Sequence, residues 1–166
     1  MLVLSYDALN RPTAKAYSNE PSGVTTPAVY YCYDSQSLPS GAPSFTRGYS
    51  TGRLVPVLYG GSTSTTGDYH GYDAAGRVLR KIQRLDSTDY LVEASYNVSA
   101  ATSMTYPSVP GYSDRRAVTP SFDYIGRVQS LSSSATSYAA AASVSSVSYA
   151  SHGAPASETY GNNNEN

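Results

Sequence analysis

The stretch Tyr72-Asp73-Ala74-Ala75-Gly76-Arg77, followed by Val78-Leu79, decides the fold. It joins an aromatic residue, four turn-forming positions and an apolar restart, which is the chemistry of a β-hairpin. The aromatic ends one strand, and Asp73 opens the turn because its carboxylate accepts hydrogen bonds from the amides just ahead. Two tolerant residues follow. Gly76 then supplies the positive φ of a type I turn with a bulge, and Arg77 leads into the next strand.

The same phrase recurs. Tyr6-Asp7-Ala8-Leu9-Asn10-Arg11 carries Asn in the glycine place, and Asn tolerates the left-handed region better than most residues. Phe122-Asp123-Tyr124-Ile125-Gly126-Arg127 carries Phe for Tyr. Weaker copies start at Tyr33-Asp34, whose Gly52-Arg53 comes late, at Tyr96-Asn97 and at Tyr149, which keeps Gly153. The anchors 6, 33, 72, 96, 122 and 149 step by 27, 39, 24, 26 and 27 residues. The long step reflects a Ser/Pro/Gly-rich stretch at residues 35–51 that reads as an inserted loop. Segments such as Tyr30-Tyr31-Cys32-Tyr33, Leu91 to Tyr96 and Val144 to Tyr149 have strand chemistry. No long stretch has helical periodicity, and residues 139–142 are expected to form at most one helical turn. The fold class expected is all-β, with antiparallel hairpin repeats in one curved, twisted sheet.

Composition agrees and excludes several classes. Leu, Ile, Val and Phe together number 27 of 166 residues, a share that signals disorder only when net charge is high, and here it is −1. Seventeen tyrosines supply the missing core material, each able to bury an aromatic body while its hydroxyl stays wet or bonded. No apolar run approaches the ~20 residues of a membrane helix. The opening Met1 to Tyr6 has neither a basic region nor an apolar segment of signal-peptide type. A balanced charge and a pI of about 6.0 argue against a nucleic-acid footprint.

Chemistry-bearing residues are sparse. The lone Cys32 excludes an internal disulfide, and with His70 and His152 it has no metal-ligand spacing, so no cofactor or metal is expected. No nucleophile elbow, phosphate loop or zinc-protease motif occurs. Arg77, Arg80, Lys81 and Arg84 form the one basic cluster, diluted by Asp73, Asp86 and Asp89, and read as a solvated strand face. Because an active site occurs once while a fold device recurs, the Asp and Arg of each repeat read as turn caps, with the Arg stacked on a Tyr face or paired with the acid.

Repeated Tyr-Asp-x-x-Gly-Arg phrases with β-rich spacers resemble the YD-repeat (Rhs-type) family of bacterial surface and toxin proteins, shared by teneurins. The resemblance covers Tyr6 to about Asn162 and implies a YD-repeat β domain over residues 1–162 with a polar tail at 163–166. It implies strands of a sheet that spirals into a shell-like β-solenoid, in many members enclosing a toxin. Its motif residues here are Tyr6, Asp7, Arg11, Tyr33, Asp34, Gly52, Arg53, Tyr72, Asp73, Gly76, Arg77, Phe122, Asp123, Gly126 and Arg127. About six repeats fall short of a full shell, so the expectation is a fragment or a short repeat protein. The implied role is non-catalytic: part of a shell or surface scaffold, extracellular or on a bacterial surface. The expected partners are flanking YD repeats of a longer parent chain or self-association through open sheet edges. The alternative expectation is a carbohydrate- or surface-binding module that uses exposed tyrosines.

Overall fold

A computed structural model describes residues 1–112, 114–134 and 144–160. The strands are β1 (Leu2–Tyr6), β2 (Pro12–Tyr17), β3 (Val29–Tyr33), β4 (Leu54–Tyr59), β5 (Gly67–Tyr72), β6 (Val78–Leu85) and β7 (Thr88–Tyr96). They continue as β8 (Ala101–Thr105), β9 (Ala117–Phe122), β10 (Val128–Ser133), β11 (Val144–Tyr149) and β12 (Pro155–Tyr160). The protein is all-β: these twelve strands form one antiparallel sheet in sequence order, and the described residues contain no helix. Residues 139–142, where one helical turn was expected, and the tail at 163–166 lie outside the described residues. The chain divides into two compact units, Met1–Leu91 and Val92–Asn166.

In the first unit, strand pairing sorts side chains onto two faces. Pro56 lies opposite Tyr69, Leu58 opposite Gly67, and Tyr69 opposite Ile82, so these residues share one face. On that face Leu58, Tyr69 and Ile82 are buried, with Tyr30, Cys32 and Leu91 packed beside them. What covers the face is the inserted loop. Leu38, Ala42 and Phe45 lie on the same cluster, and the Phe45 ring meets Tyr69 edge-on at 6.0 Å. The Arg47 carbonyl accepts the Tyr72 amide at 2.8 Å, and the Tyr49 amide donates to the Tyr72 carbonyl at 3.2 Å. That approach demands glycine: a Cβ on Gly71 would lie 2.5 Å from the Thr46 carbonyl oxygen.

Pro56 sits inside a central strand, where a missing N–H normally breaks the ladder. Here β4 spends three steps, Leu54 to Val57, against two on β3, Tyr31 to Tyr33. The extra residue is a bulge, the kind of site at which a strand accepts proline.

The second unit has little core, and none of its described residues is fully buried. Its strands are rich in serine, and cross-strand serine pairs bind each other. Ser121 and Ser130 hydroxyls lie 2.6 Å apart, as do Ser148 and Ser157. The excursion at residues 106–116 is closed by the Tyr106 amide on the Arg116 carbonyl at 2.8 Å and by Arg115 on Glu93 at 2.6 Å.

Because the loop supplies half of the only deep core described, Phe45→Ala should cost about 2–4 kcal/mol of unfolding free energy. Ile125→Ala, at an exposed turn, should cost less than about 0.5 kcal/mol. Urea denaturation of the full chain followed by tyrosine fluorescence checks both. Equal effects would show that the loop is not part of the core.

Candidate functional site

The motif turns share one wiring. In the first, the Asp7 amide donates to the Arg11 carbonyl and the Asn10 amide to the Asp7 carbonyl, both at 3.0 Å. Oδ1 of Asp7 accepts the amides of Leu9 and Arg11 at 2.9 Å, and Oδ2 accepts Nε–H of Arg11 at 2.7 Å. Asp73 takes the Arg77 amide at 2.9 Å and its Nε–H at 2.7 Å. Asp123 takes Ile125 at 3.0 Å and Arg127 at 2.9 and 2.7 Å. The fourth turn residue has positive φ each time: 61° at Asn10, 86° at Gly76 and 86° at Gly126. At Gly76 the space is also filled, since the Arg53 guanidinium lies where a Cβ would point.

These contacts set the ionisation of the acids. At Asp7 the Arg11 amide is the leading cause of a carboxyl held below its ordinary range. At Asp73 and Asp123 desolvation pushes upward, but the amide and guanidinium of the following Arg together outweigh it. Asp34 is lowered chiefly by Arg11, whose Nη2–H donates to it at 3.0 Å, and then by the Gly52 amide.

The inserted loop does not break this scheme. Asp34 still closes onto the Arg53 carbonyl at 3.0 Å, as Asp7 does onto Arg11, so residues 35–51 are spliced into an otherwise ordinary turn. The acid of this copy is reassigned: Oδ1 caps Gly52, and Oδ2 binds Arg11 of the preceding hairpin. Arg53 instead donates to the Tyr49 carbonyl.

Between hairpins runs a second set of contacts that links neighbouring turns. The Tyr33 hydroxyl donates to the Pro12 carbonyl at 3.0 Å, while the Arg11 guanidinium carbon lies 4.3 Å above the Tyr33 ring. The Tyr72 hydroxyl donates to the Leu54 carbonyl at 2.6 Å, with Arg53 at 5.6 Å from its ring. In the second unit the Tyr149 hydroxyl donates to the Val128 carbonyl at 2.6 Å, with Arg127 at 4.1 Å. Each rung joins the aromatic of one turn to the Arg and the next carbonyl of the turn before it. Pairing explains the match: carrying Ala14↔Tyr30 along the strands places Arg11 opposite Tyr33, and Pro56↔Tyr69 places Arg53 opposite Tyr72. Where the Arg is missing the hydroxyl is missing too. Met104↔Val118 sets Ala100, which closes the Asn97 turn, opposite Phe122.

The remaining sequence candidates sit apart from this ladder. The His70 imidazole lies 3.2 Å from the Val55 carbonyl through Nδ1 and stacks beside Tyr72. Burial, then the charge of Lys81 on the facing strand, lowers its pKa against the opposing effects of Val55 and Asp68. Cys32 is half-buried against the core, and burial pushes its thiol up. His152 occupies the β11–β12 turn. In the basic cluster, Arg84 pairs with Asp89 at 2.5 Å and Lys81 with Asp68 at 3.5 Å. No group of three or more potential metal ligands occurs among the described residues, and no helix there is long and apolar enough to cross a membrane.

The fold and ladder together define an all-β sheet of interlocked hairpins. No protein-family model matches the chain, and no curated protein matches it.

Sequence reading did not find which tyrosine each Arg covers or that a backbone carbonyl completes the rung. The signal available was spacing: 22 residues from Arg11 to Tyr33 and from Arg127 to Tyr149, and 19 from Arg53 to Tyr72.

A double-mutant cycle of Arg127→Ala with Tyr149→Ala should give a coupling of about 0.5–1 kcal/mol, and no coupling would dissolve the rung. Acid titration should fall in two steps. His70 has a lowered folded pKa, so its contribution is complete above about pH 6.5 and is lost as pH falls below that value. The lowered Asp7, Asp73 and Asp123 contribute above about pH 4, and their share is lost only as pH falls further. His70→Gln should flatten the upper step in a pH series of thermal melts and leave the lower one.

Proposed function

We propose that this chain is a non-catalytic structural segment of YD-repeat type, part of a shell or surface scaffold of a secreted bacterial protein. The observation that carries this reading is the repetition of one turn wiring and one Arg–Tyr–carbonyl rung along the sheet. Chemistry spread evenly over three hairpins has no point at which a substrate is distinguished. Each polar group in it is spent on the backbone or on a neighbouring hairpin. The edges of the strand order, β1 and β12, are exposed throughout their length, which suits a segment that continues into further strands or associates with others.

A second reading, a carbohydrate- or surface-binding module, is favoured by one observation: Tyr124 at a turn tip is 96% exposed and Tyr49 63%. Such rings are ready stacking platforms. Tyr33, Tyr72 and Tyr149 are engaged in rungs, so this reading ranks second.

Three measurements bear on the readings. Arg11→Ala, Arg53→Ala and Arg127→Ala should each lower the melting temperature modestly, and the triple variant should show the sum, as for independent structural sites. Sedimentation of the isolated chain should show concentration-dependent association, and a compact monomer with a high melting temperature would overturn the open-edge account. Binding to a glycan array that Tyr124→Ala abolishes would favour the second reading.

A further inference from the structure

We propose that the excursion between β8 and β9 forms a binding site for a small carboxylate with a compact apolar body, held by Arg116. The site goes beyond the scaffold reading and does not depend on it.

The excursion encloses a cleft of about 480 Å³ lined by Tyr106, Pro107, Val109, Arg116 and Val118. All five residues belong to the second unit, and the volume lies within the range of small-molecule sites. Four of the five are aromatic or aliphatic. The chain's own packing leaves these walls open, since Tyr106 is 42% exposed and Val109 39%. Apolar walls around one polar group are the usual make-up of a ligand site: the walls supply affinity and the polar group supplies orientation.

The shape of the cleft is fixed by bonds within the chain. The Tyr106 amide donates to the Arg116 carbonyl at 2.8 Å and closes the excursion, and the Tyr112 amide donates to the Val109 carbonyl at 3.1 Å. Arg115 donates through Nε to the Tyr106 carbonyl at 2.9 Å and through Nη1 to Glu93 at 2.6 Å. Val118, set opposite Met104 in the β8–β9 pairing, puts one wall on a strand.

The two adjacent arginines divide the work. Arg115 ties the excursion to Glu93 on β7. Arg116 brings a guanidinium to the apolar walls. Its planar fork of N–H donors matches a carboxylate, and a charge-assisted pair of this kind is stronger than a neutral hydrogen bond. The Tyr106 ring gives the ligand's body an aromatic surface to pack on. Asp114 stands two residues before Arg116, so the charge of the ligand is the discriminating property. An anion reports Arg116, whereas a cation would report Asp114.

The test uses the full chain and a set of probes that share one body: phenylpropionate, phenylpropionamide and phenylpropylamine. Titration followed by amide NMR shifts should show saturable binding of the carboxylate, centred on residues 106–118. The carboxylate should bind about tenfold more tightly than the amide, and the amine should bind least. Arg116→Gln should abolish the preference for the carboxylate, Arg116→Lys should keep part of it, and Tyr106→Ala should weaken carboxylate and amide alike. N-acetyl-glycyl-phenylalanine should bind more weakly than phenylpropionate if the source is a free acid, and more tightly if it is a peptide chain end. Either result upholds the carboxylate site and names its source. Equal or tighter binding of the amide or the amine would overturn the proposal. So would a carboxylate preference that survives Arg116→Gln, shifts centred outside residues 106–118, or no saturation at millimolar probe. Should Arg116→Gln lose the amide pattern of the folded sheet, the headgroup series on the unaltered chain and the Arg116→Lys result still decide.

Discussion

The carboxylate at the head of each motif turn is the constraint on which the rest depends. A tight turn with positive φ leaves backbone amides pointing inward with no strand to receive them, and such groups are costly if unmet. One aspartate oxygen takes two of these amides, and the other oxygen takes Nε of the Arg four residues on. Anchoring Nε orients the guanidinium. Its outer face is then free to lie over the tyrosine that the next hairpin brings alongside. A cation held by one acid is thereby delivered, without mobile linkers, to a ring in the neighbouring repeat.

This two-stage use of arginine explains how a chain poor in Val and Leu holds a sheet of many strands. Among the described residues, interior packing centres on one patch around Leu58, Tyr69 and Ile82. Elsewhere cohesion comes from the ladder, from serine pairs across strands and from backbone pairing. The tyrosines serve twice, as apolar bulk beneath the guanidinium and as hydroxyl donors to a fixed carbonyl. Phe122 gives up both roles: it has no hydroxyl, and the preceding turn closes on Ala100 where the others carry an arginine.

The inserted stretch at residues 35–51 gives the scheme its asymmetry. It leaves one turn, covers a face of its own sheet with Leu38, Ala42 and Phe45, and returns to close the turn by the usual Asp34 to Arg53 bond. The displaced acid is not wasted. Asp34 reaches back to Arg11, so that this Arg bridges two carboxylates while stacking on Tyr33. Glycine at position 71 is the steric condition for the loop to come so close.

The all-β class, the hairpin phrase and the positions of the motif turns were legible in the sequence. These follow from local physics: Asp caps its own amides, Gly or Asn takes the left-handed φ, and aromatic or β-branched runs extend. It also marked residues 35–51 as an insertion, because the excess length falls in one interval. Only the tertiary structure decided that this insertion is core rather than surface, since Leu38 and Phe45 are isolated apolar residues in a Ser/Pro/Gly background with no periodicity to read. The same holds for the rung partners. Which tyrosine an arginine covers depends on strand register between hairpins, and register is set by pairing across some twenty residues of intervening chain, where no local preference reaches.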